Sequence, residues 1–332
     1  MATLETQQLD DIIVKSRRKM LSLGTSALAG LVLSGVTRKA EAATLVDADY
    51  LNFALNLEYL EANFYNLAVN GVTIDKLPTP IGITGTGTQG TVTTKANFAK
   101  VPFANATIAA YAKETAIEEG KHVSFLRGAL GSSAVAQPAI NLVDSFNTLA
   151  VMSGAAASLD PFASDALFLI GAYIFEDVGV TAYHGAAGAL TSAANLGAAG
   201  GILVVEAYHA GLVRTAINAL DAGSGTLTGI TQKISAFRSK LANPTAPPSG
   251  TPFTTNGGLA ADDQGIDNNQ KVALQGSSAT FASTTILDAD SNSICFARTP
   301  AQILAIVTGN SPAAASGNKG VFFTAGLNGN VT

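Results

Sequence analysis

The feature that most constrains this chain is the confinement of its glutamates and histidines. Beyond residue 42 there are seven Glu and three His, and all ten fall between Glu58 and His209. The 112 residues after Leu220 contain neither type. Solvating charge spreads over every exposed face, so a distribution this uneven points to a shared internal task. The spacing sharpens the point. Glu58 and Tyr65 stand seven residues apart, and Glu119-x-x-His122 follows with Arg127 behind it. The same order returns as Glu176 and Tyr183, then Glu206-x-x-His209 with Arg214. On a helix, residues three apart share a face, and residues seven apart share a stripe nearly two turns long. The chain therefore reads as one helix pair used twice.

The surrounding pattern supplies the helices. Apolar residues recur at helical spacing over 47–69, with Asp47 as the expected N-cap, and again over 105–130, about 161–190 and about 196–220. A short amphipathic helix is expected over 227–242, with smaller helical pieces at 141–150 and 300–308. Residues 70–103 fill with Gly, Thr and Pro and read as a long connection. After Leu241 the texture turns to Pro, Gly, Asn and Thr, with too few large apolar residues for a separate core. The expected fold is all-α: a four-helix bundle within 43–242, including the short fifth helix, and an irregular extension, 243–332, wrapped on it.

Side-chain surroundings place the acids inside. Glu206 has Ile202, Leu203, Ala210 and Val213 as helical neighbours, Glu176 has Ala172, Tyr173, Val180 and Tyr183, and Glu119 has Thr115, Ala116, Val123 and Leu126. A lone buried carboxylate is costly or takes up a proton. Four in one core become tolerable when cations sit between them. One Glu from each of two helices plus Glu-x-x-His from each of two others is the donor set of carboxylate bundles that hold two iron or manganese ions. Here that set is Glu58, Glu119, His122, Glu176, Glu206 and His209. Glu61 competes with Glu58, since both can face inward, but only Glu58 matches the Glu-x6-Tyr pattern. Glu114 and Glu118 lie with Lys121 on a polar face and are expected in solvent. His184 falls off the Glu176 stripe and is expected to be a hydrogen-bonded structural residue. Arg127 and Arg214 pair with carboxylates or helix ends, or support the site. The single cysteine, Cys295, rules out an intrachain disulfide or a cysteine metal site and is expected as a buried small apolar residue.

The N-terminus reads as an export signal over 1–42. Arg17-Arg18 precedes an apolar stretch of 16 residues from Leu21 to Val36, and Ala40-Glu41-Ala42 suits cleavage before Ala43. Paired arginines before such a stretch mark the bacterial twin-arginine type, and the stretch falls short of the ~20 residues that span a bilayer. No Cys follows the cleavage site to carry a lipid anchor. The expected location is periplasmic or secreted, and no later segment reads as a transmembrane helix. Net charge is −5, without a basic block beyond the leader, which argues against nucleic-acid binding.

The segments NFALNLEYLEANFY, FEDVGVTAYHGAA and VVEAYHAGLVR, with the tail FARTPAQILAIVTG…GVFFTAGLNGNV, resemble the ferritin-like superfamily. The likeness is to the branch of plant desiccation-related proteins and their bacterial and fungal relatives. The resemblance implies two metals bridged by Glu119 and Glu206, with Glu58, Glu176, His122 and His209 as terminal ligands and Tyr65 and Tyr183 as hydrogen-bond donors behind them. The long connection after the first helix and the extension are foreign to cage-forming ferritins, so a homo-oligomer stays open but a storage shell does not. The expected cofactor is two iron ions, with manganese or a mixed pair as the alternative, because hard oxygen and nitrogen donors suit both. Oxygen- or peroxide-linked redox chemistry, or stress protection, is the expected function. A metal-independent structural or desiccation-protective envelope protein is the alternative.

Overall fold

A computed structural model describes residues 45–243, 262–267, 270–273, 280–283, 285–290, 292–310 and 318–331. The leader expected over 1–42 lies outside the described residues. The chain is all-α in character, with helices α1 Asp47–Asn70, α2 Ala106–Leu130, α3 Asp144–Met152, α4 Asp165–Ala187, α5 Ala193–Asp221, α6 Thr226–Ala242 and α7 Pro300–Thr308. Two short strand pairs complete it: β1 Val92–Thr93 lies parallel to β2 Ile140–Asn141, and β3 Gln270–Ala273 antiparallel to β4 Thr280–Ser283. Helix α1 packs along α2 and α4 along α5, and the two pairs close into the bundle through α1 with α4 and α2 with α5.

Local chemistry sets the helix ends. Asn105 caps α2 by accepting from the Thr107 and Ile108 amides, and Ser164 and Ser192 cap α4 and α5. The last two caps move the starts from the expected 161 and 196 to Asp165 and Ala193. Before α4, the Asp160 side chain and carbonyl hold the Phe162 and Ala163 amides in a turn instead. Asp47 is not the cap of α1. Val46 precedes the helix, and the Asp47 carboxylate accepts from the Thr191 and Ser192 amides and from Asn195, tying α1 to the α4–α5 corner. These hydrogen bonds, chiefly that from the Thr191 amide, hold its carboxyl well below the ordinary range. The long connection is not featureless, because β1 pairs with β2 and Thr86 bridges to Val135, lacing it to the segment before α3.

The core is aromatic at one end. Phe64 lies within 5.8 Å, centroid to centroid, of Phe146, Phe162, Phe168 and Phe175, and Phe322 adds contacts to Phe146 and Phe175 at 5.3 and 5.0 Å. By length and composition α4 and α5 are apolar enough to cross a membrane, contrary to the sequence expectation. Of α4's apolar window 83% is buried inside the protein, against 33% for α5. A helix apolar on all sides suits a bundle centre. Along α5, Val204 and Tyr208 stand exposed while its acidic and basic side chains, Glu206, His209, Arg214 and Asp221, turn inward.

Parts of the extension are anchored by buried charge. Asp263 accepts from Arg238 Nε and Nη2 at 2.7 and 2.8 Å and from Arg298 Nη2 at 2.8 Å, while Asp177 on α4 accepts from Arg238 and Arg214, each at 2.9 Å. All five side chains are buried. Gly185 lets Arg298 come this close: a Cβ there would stand 1.9 Å from the Arg298 carbonyl oxygen. Further along, Asn328 exchanges hydrogen bonds with Asn56 on α1 at 2.8 and 3.0 Å. Removing one member of a buried ion-pair set strands its partners, at a cost of about 3–5 kcal/mol. Asp263→Ala is therefore expected to lose that much in urea unfolding, and a loss below about 1 kcal/mol would show the network to be dispensable.

Candidate metal centre

Four helices each turn side chains into one buried cluster. Glu58 and Glu61 come from α1, Glu119 and His122 from α2, Glu176 from α4, and Glu206 and His209 from α5; all seven are buried. The arrangement has two overlapping centres. Around one, His122 Nδ1 lies 3.3 Å from Glu58, 3.4 Å from Glu119 and 3.5 Å from Glu206. Around the other, His209 Nδ1 lies 2.9 Å from Glu119 and 3.4 Å from Glu176. Glu58, Glu119, His122 and Glu206 offer donor atoms within 4.8 Å of one another, as do Glu119, Glu176 and His209. Glu119 belongs to both groups.

The two tyrosines act across the bundle. Tyr65 donates to Glu176 and Tyr183 donates to Glu58, so each helix of the α1–α4 pair holds the other's carboxylate. The repeated arginines also find equivalent partners: Arg127 donates to Tyr59, one residue after Glu58, and Arg214 to Asp177, one residue after Glu176. Sequence spacing alone left Glu58 and Glu61 in competition, yet both enter. Glu58 joins His122, whereas Glu61 shares a group with Glu119, Glu176 and Glu206.

Glu118 corrects the sequence reading. It is not simply solvated: its Oε2 lies 2.7 Å from His209 Nε2, although its side chain keeps about a third of its surface exposed (33%). Bonding at Nε2 orients the ring and leaves Nδ1 facing the cluster, the pattern of histidines that bind metal. A signal existed in the Glu118-Glu119 doublet, but only the approach of α5 reveals it. His184 faces elsewhere, with Nδ1 3.1 Å from the Phe296 carbonyl and 3.4 Å from Cys295 Sγ. Cys295 is half-buried rather than buried, because it lies in an irregular stretch beside exposed Ile294.

Electrostatics without cations are severe. Burial, reinforced by the neighbouring acids, pushes Glu61 and Glu206 far above the ordinary carboxylate range, and burial also raises Glu176. Glu58 is pushed up to about 7 by burial, which His122 only partly offsets. Glu119 alone goes down, because the close approach and charge of both histidines outweigh its burial. His122 rises to about 12 despite desolvation, through the Glu58 and Glu119 carboxylates. Protons here stand in for positive charge.

Ten buried side-chain atoms among the described residues lack a hydrogen-bond partner, and eight belong to this cluster: Glu58 Oε2, Glu61 Oε2, both Glu119 oxygens, His122 Nδ1, Glu176 Oε2, Glu206 Oε2 and His209 Nδ1. Buried polar atoms are rarely left unpaired, and so many converging on one point fit a cation-binding donor set.

The ferritin-like domain family matches residues 46–219, more than half of the 332-residue chain. The chain belongs to that family. The chain is also 30% identical over 281 residues to the desiccation-related protein PCC13-62 of Craterostigma plantagineum, covering 79% of this chain and 77% of that one. No solved structure matches.

The raised groups fix the sign of a pH effect. Without metal, folded Glu58 keeps its proton up to about 7, whereas its unfolded value is 4.5, so its stabilising share is full below 4.5 and gone above 7. His122 acts in the same direction as pH rises from 6.5 toward 12. Glu119 is ionised in both states above 4.5 and adds no slope there. Metal-stripped protein is thus expected to melt at progressively lower temperature as pH climbs from 4.5 through 7, followed by circular dichroism. A melting temperature that rises across that interval would contradict the charge assignment.

Proposed function

We propose that the bundle binds two iron or manganese ions through Glu58, Glu119, His122, Glu176, Glu206 and His209, and that it serves oxygen- or peroxide-linked redox chemistry or stress protection outside the cytoplasm. The observation that carries this reading is the convergence of eight unpartnered buried donor atoms on one point between four helices. Glu119, which belongs to both groups of donors, and Glu206 would bridge, and the other four residues would be terminal. Bound iron or manganese would supply the one-electron couples that reduction of oxygen or peroxide requires.

The chain's own residues prepare the rest. Tyr65 and Tyr183 hold the two terminal carboxylates by donated hydrogen bonds, and Glu118 fixes the ring of His209. Two small apolar cavities reach the cluster: one of about 60 Å³ with Glu61, Leu57 and Phe175 in its wall, and one of about 30 Å³ against Glu58, Glu61, Glu206 and Tyr183. A water needs about 10–15 Å³ on that scale, so each space has room for a diatomic or peroxide beside the cluster.

Elemental analysis of protein purified without added metal is expected to give near two ions per chain, and a Glu119→Ala/Glu206→Ala variant should give none. Fe(II)-dependent oxygen consumption should disappear in Glu119→Ala. A wild-type protein that is metal-free and takes up neither Fe(II), Mn(II) nor Zn(II) would shift the assignment to the second reading. That reading, a metal-independent protective protein of the cell envelope, draws on the likeness to a desiccation-related protein. Export is tested separately: Arg17→Lys/Arg18→Lys should leave full-length protein in the cytoplasm on fractionation, and undiminished export would rule out a twin-arginine leader.

A further inference from the structure

The two helix pairs repeat one ligand pattern around the cluster, and they differ most directly in their acids at one inward position. Glu58 and Glu176 correspond, as do Tyr65 and Tyr183, Glu119 and Glu206, His122 and His209, and Arg127 and Arg214. Three residues beyond the first glutamate, α1 carries Glu61. Three residues beyond the second, α4 carries Gly179. On the glycine side the space is already taken: a Cβ on Gly179 would stand 2.2 Å from Glu206 Oε2, so that carboxylate leans into the hollow. On the other side Glu61 is 6% exposed, its Oε2 has no hydrogen-bond partner, and it shares a 4.8 Å donor group with Glu119, Glu176 and Glu206.

That group holds neither histidine and lacks Glu58, but it shares both Glu119 and Glu176 with the His209 group, whereas it shares Glu119 and Glu206 with the His122 group. Glu176 is the acid found with His209 and not with His122, so its presence places Glu61 nearer the His209 side. No lysine or arginine contacts Glu61 among the described ion pairs, so nothing in the protein itself compensates an ionised carboxylate there. A buried acid aimed at a ring of donor atoms and given no partner of its own is suited to a cation.

We propose that Glu61 is a seventh ligand, bound at the position outlined by Glu119, Glu176 and His209, and that it makes the two metal positions unequal. This rests on the two-metal reading above. The His209 position has Glu61, Glu119, Glu176, Glu206 and His209 to draw on; the His122 position has Glu58, Glu119, Glu206 and His122. The extra charged oxygen ligand makes the first of these the tighter site for a hard divalent ion. It also explains why α1, alone of the helices, supplies two carboxylates without a histidine.

The experiment is calorimetric titration of the metal-stripped full chain with Mn(II), with the six-line paramagnetic resonance of isolated Mn(II) as a second readout. Wild type is expected to take two ions in two steps, separated by at least about tenfold in Kd, with isolated Mn(II) dominant at one equivalent. Glu61→Gln should weaken the tighter step at least about tenfold and leave the other in place, while Glu58→Gln should weaken the other. Two ions bound by Glu61→Gln with wild-type affinities would overturn the inference and leave the metal site standing. No binding by wild type would overturn both. Should Glu61→Gln fail to fold, Glu61→Asp, which withdraws the carboxylate by one methylene, is read by the same criteria.

Discussion

Five carboxylates in one low-dielectric core are the condition to which the rest of this molecule answers. Left ionised and uncompensated, Glu58, Glu61, Glu119, Glu176 and Glu206 would repel one another at close range with no water between them. The protein meets that load in layers. Two histidines face the acids directly, two tyrosines donate to the outermost pair, and Glu118 steadies one of the rings from outside. Beyond these lies a close-packed aromatic and aliphatic shell that keeps solvent out. The histidines come from α2 and α5 and the tyrosines from α1 and α4, so the cluster can be assembled only when all four helices are in register.

Much of this was legible in the sequence, for an identifiable reason. The Glu-x-x-His pairs and the Glu-x6-Tyr pairs are local patterns on single helices, and helical geometry converts such spacing into a shared face without knowledge of any partner. The apolar neighbours of Glu119, Glu176 and Glu206 point those faces inward for the same reason. What escaped depends on contacts between segments far apart. Glu118 looked like solvent-facing charge because its partner, His209, arrives from another helix. Asp47 looked like a cap because nothing local shows that it reaches the α4–α5 corner. Glu58 and Glu61 looked like rivals because one helix cannot reveal that the others leave room for both. The apolar lengths of α4 and α5 were likewise hard to weigh from composition, since their acids and bases vanish into the bundle.

The ferritin-like bundle here is not self-sufficient at its outer corner. Asp177 sits one residue from Glu176 and draws Arg214 and Arg238 into the same buried layer, where Tyr173 lies under Arg238 at 4.7 Å from guanidinium to ring centre. Those two guanidinium groups exceed what Asp177 can neutralise. The balance comes from Asp263, which in turn recruits Arg298. The extension thus serves as part of the charge structure of the bundle, close behind the helix that carries Glu176.

That division of labour has a consequence for the birth of the molecule. A ribosome makes the chain from the N-terminal end, so α1 to α6 are all in hand before Asp263 appears, and Arg298 and Asn328 follow later still. Until Asp263 is made Arg238 has Asp177 but not its closest carboxylate, and until Asn328 is made Asn56 on α1 lacks its partner from the extension. The segments that carry Asp263, Arg298 and Asn328 therefore dock onto helices already made, and the order of synthesis puts the charge balance of the bundle after its helices.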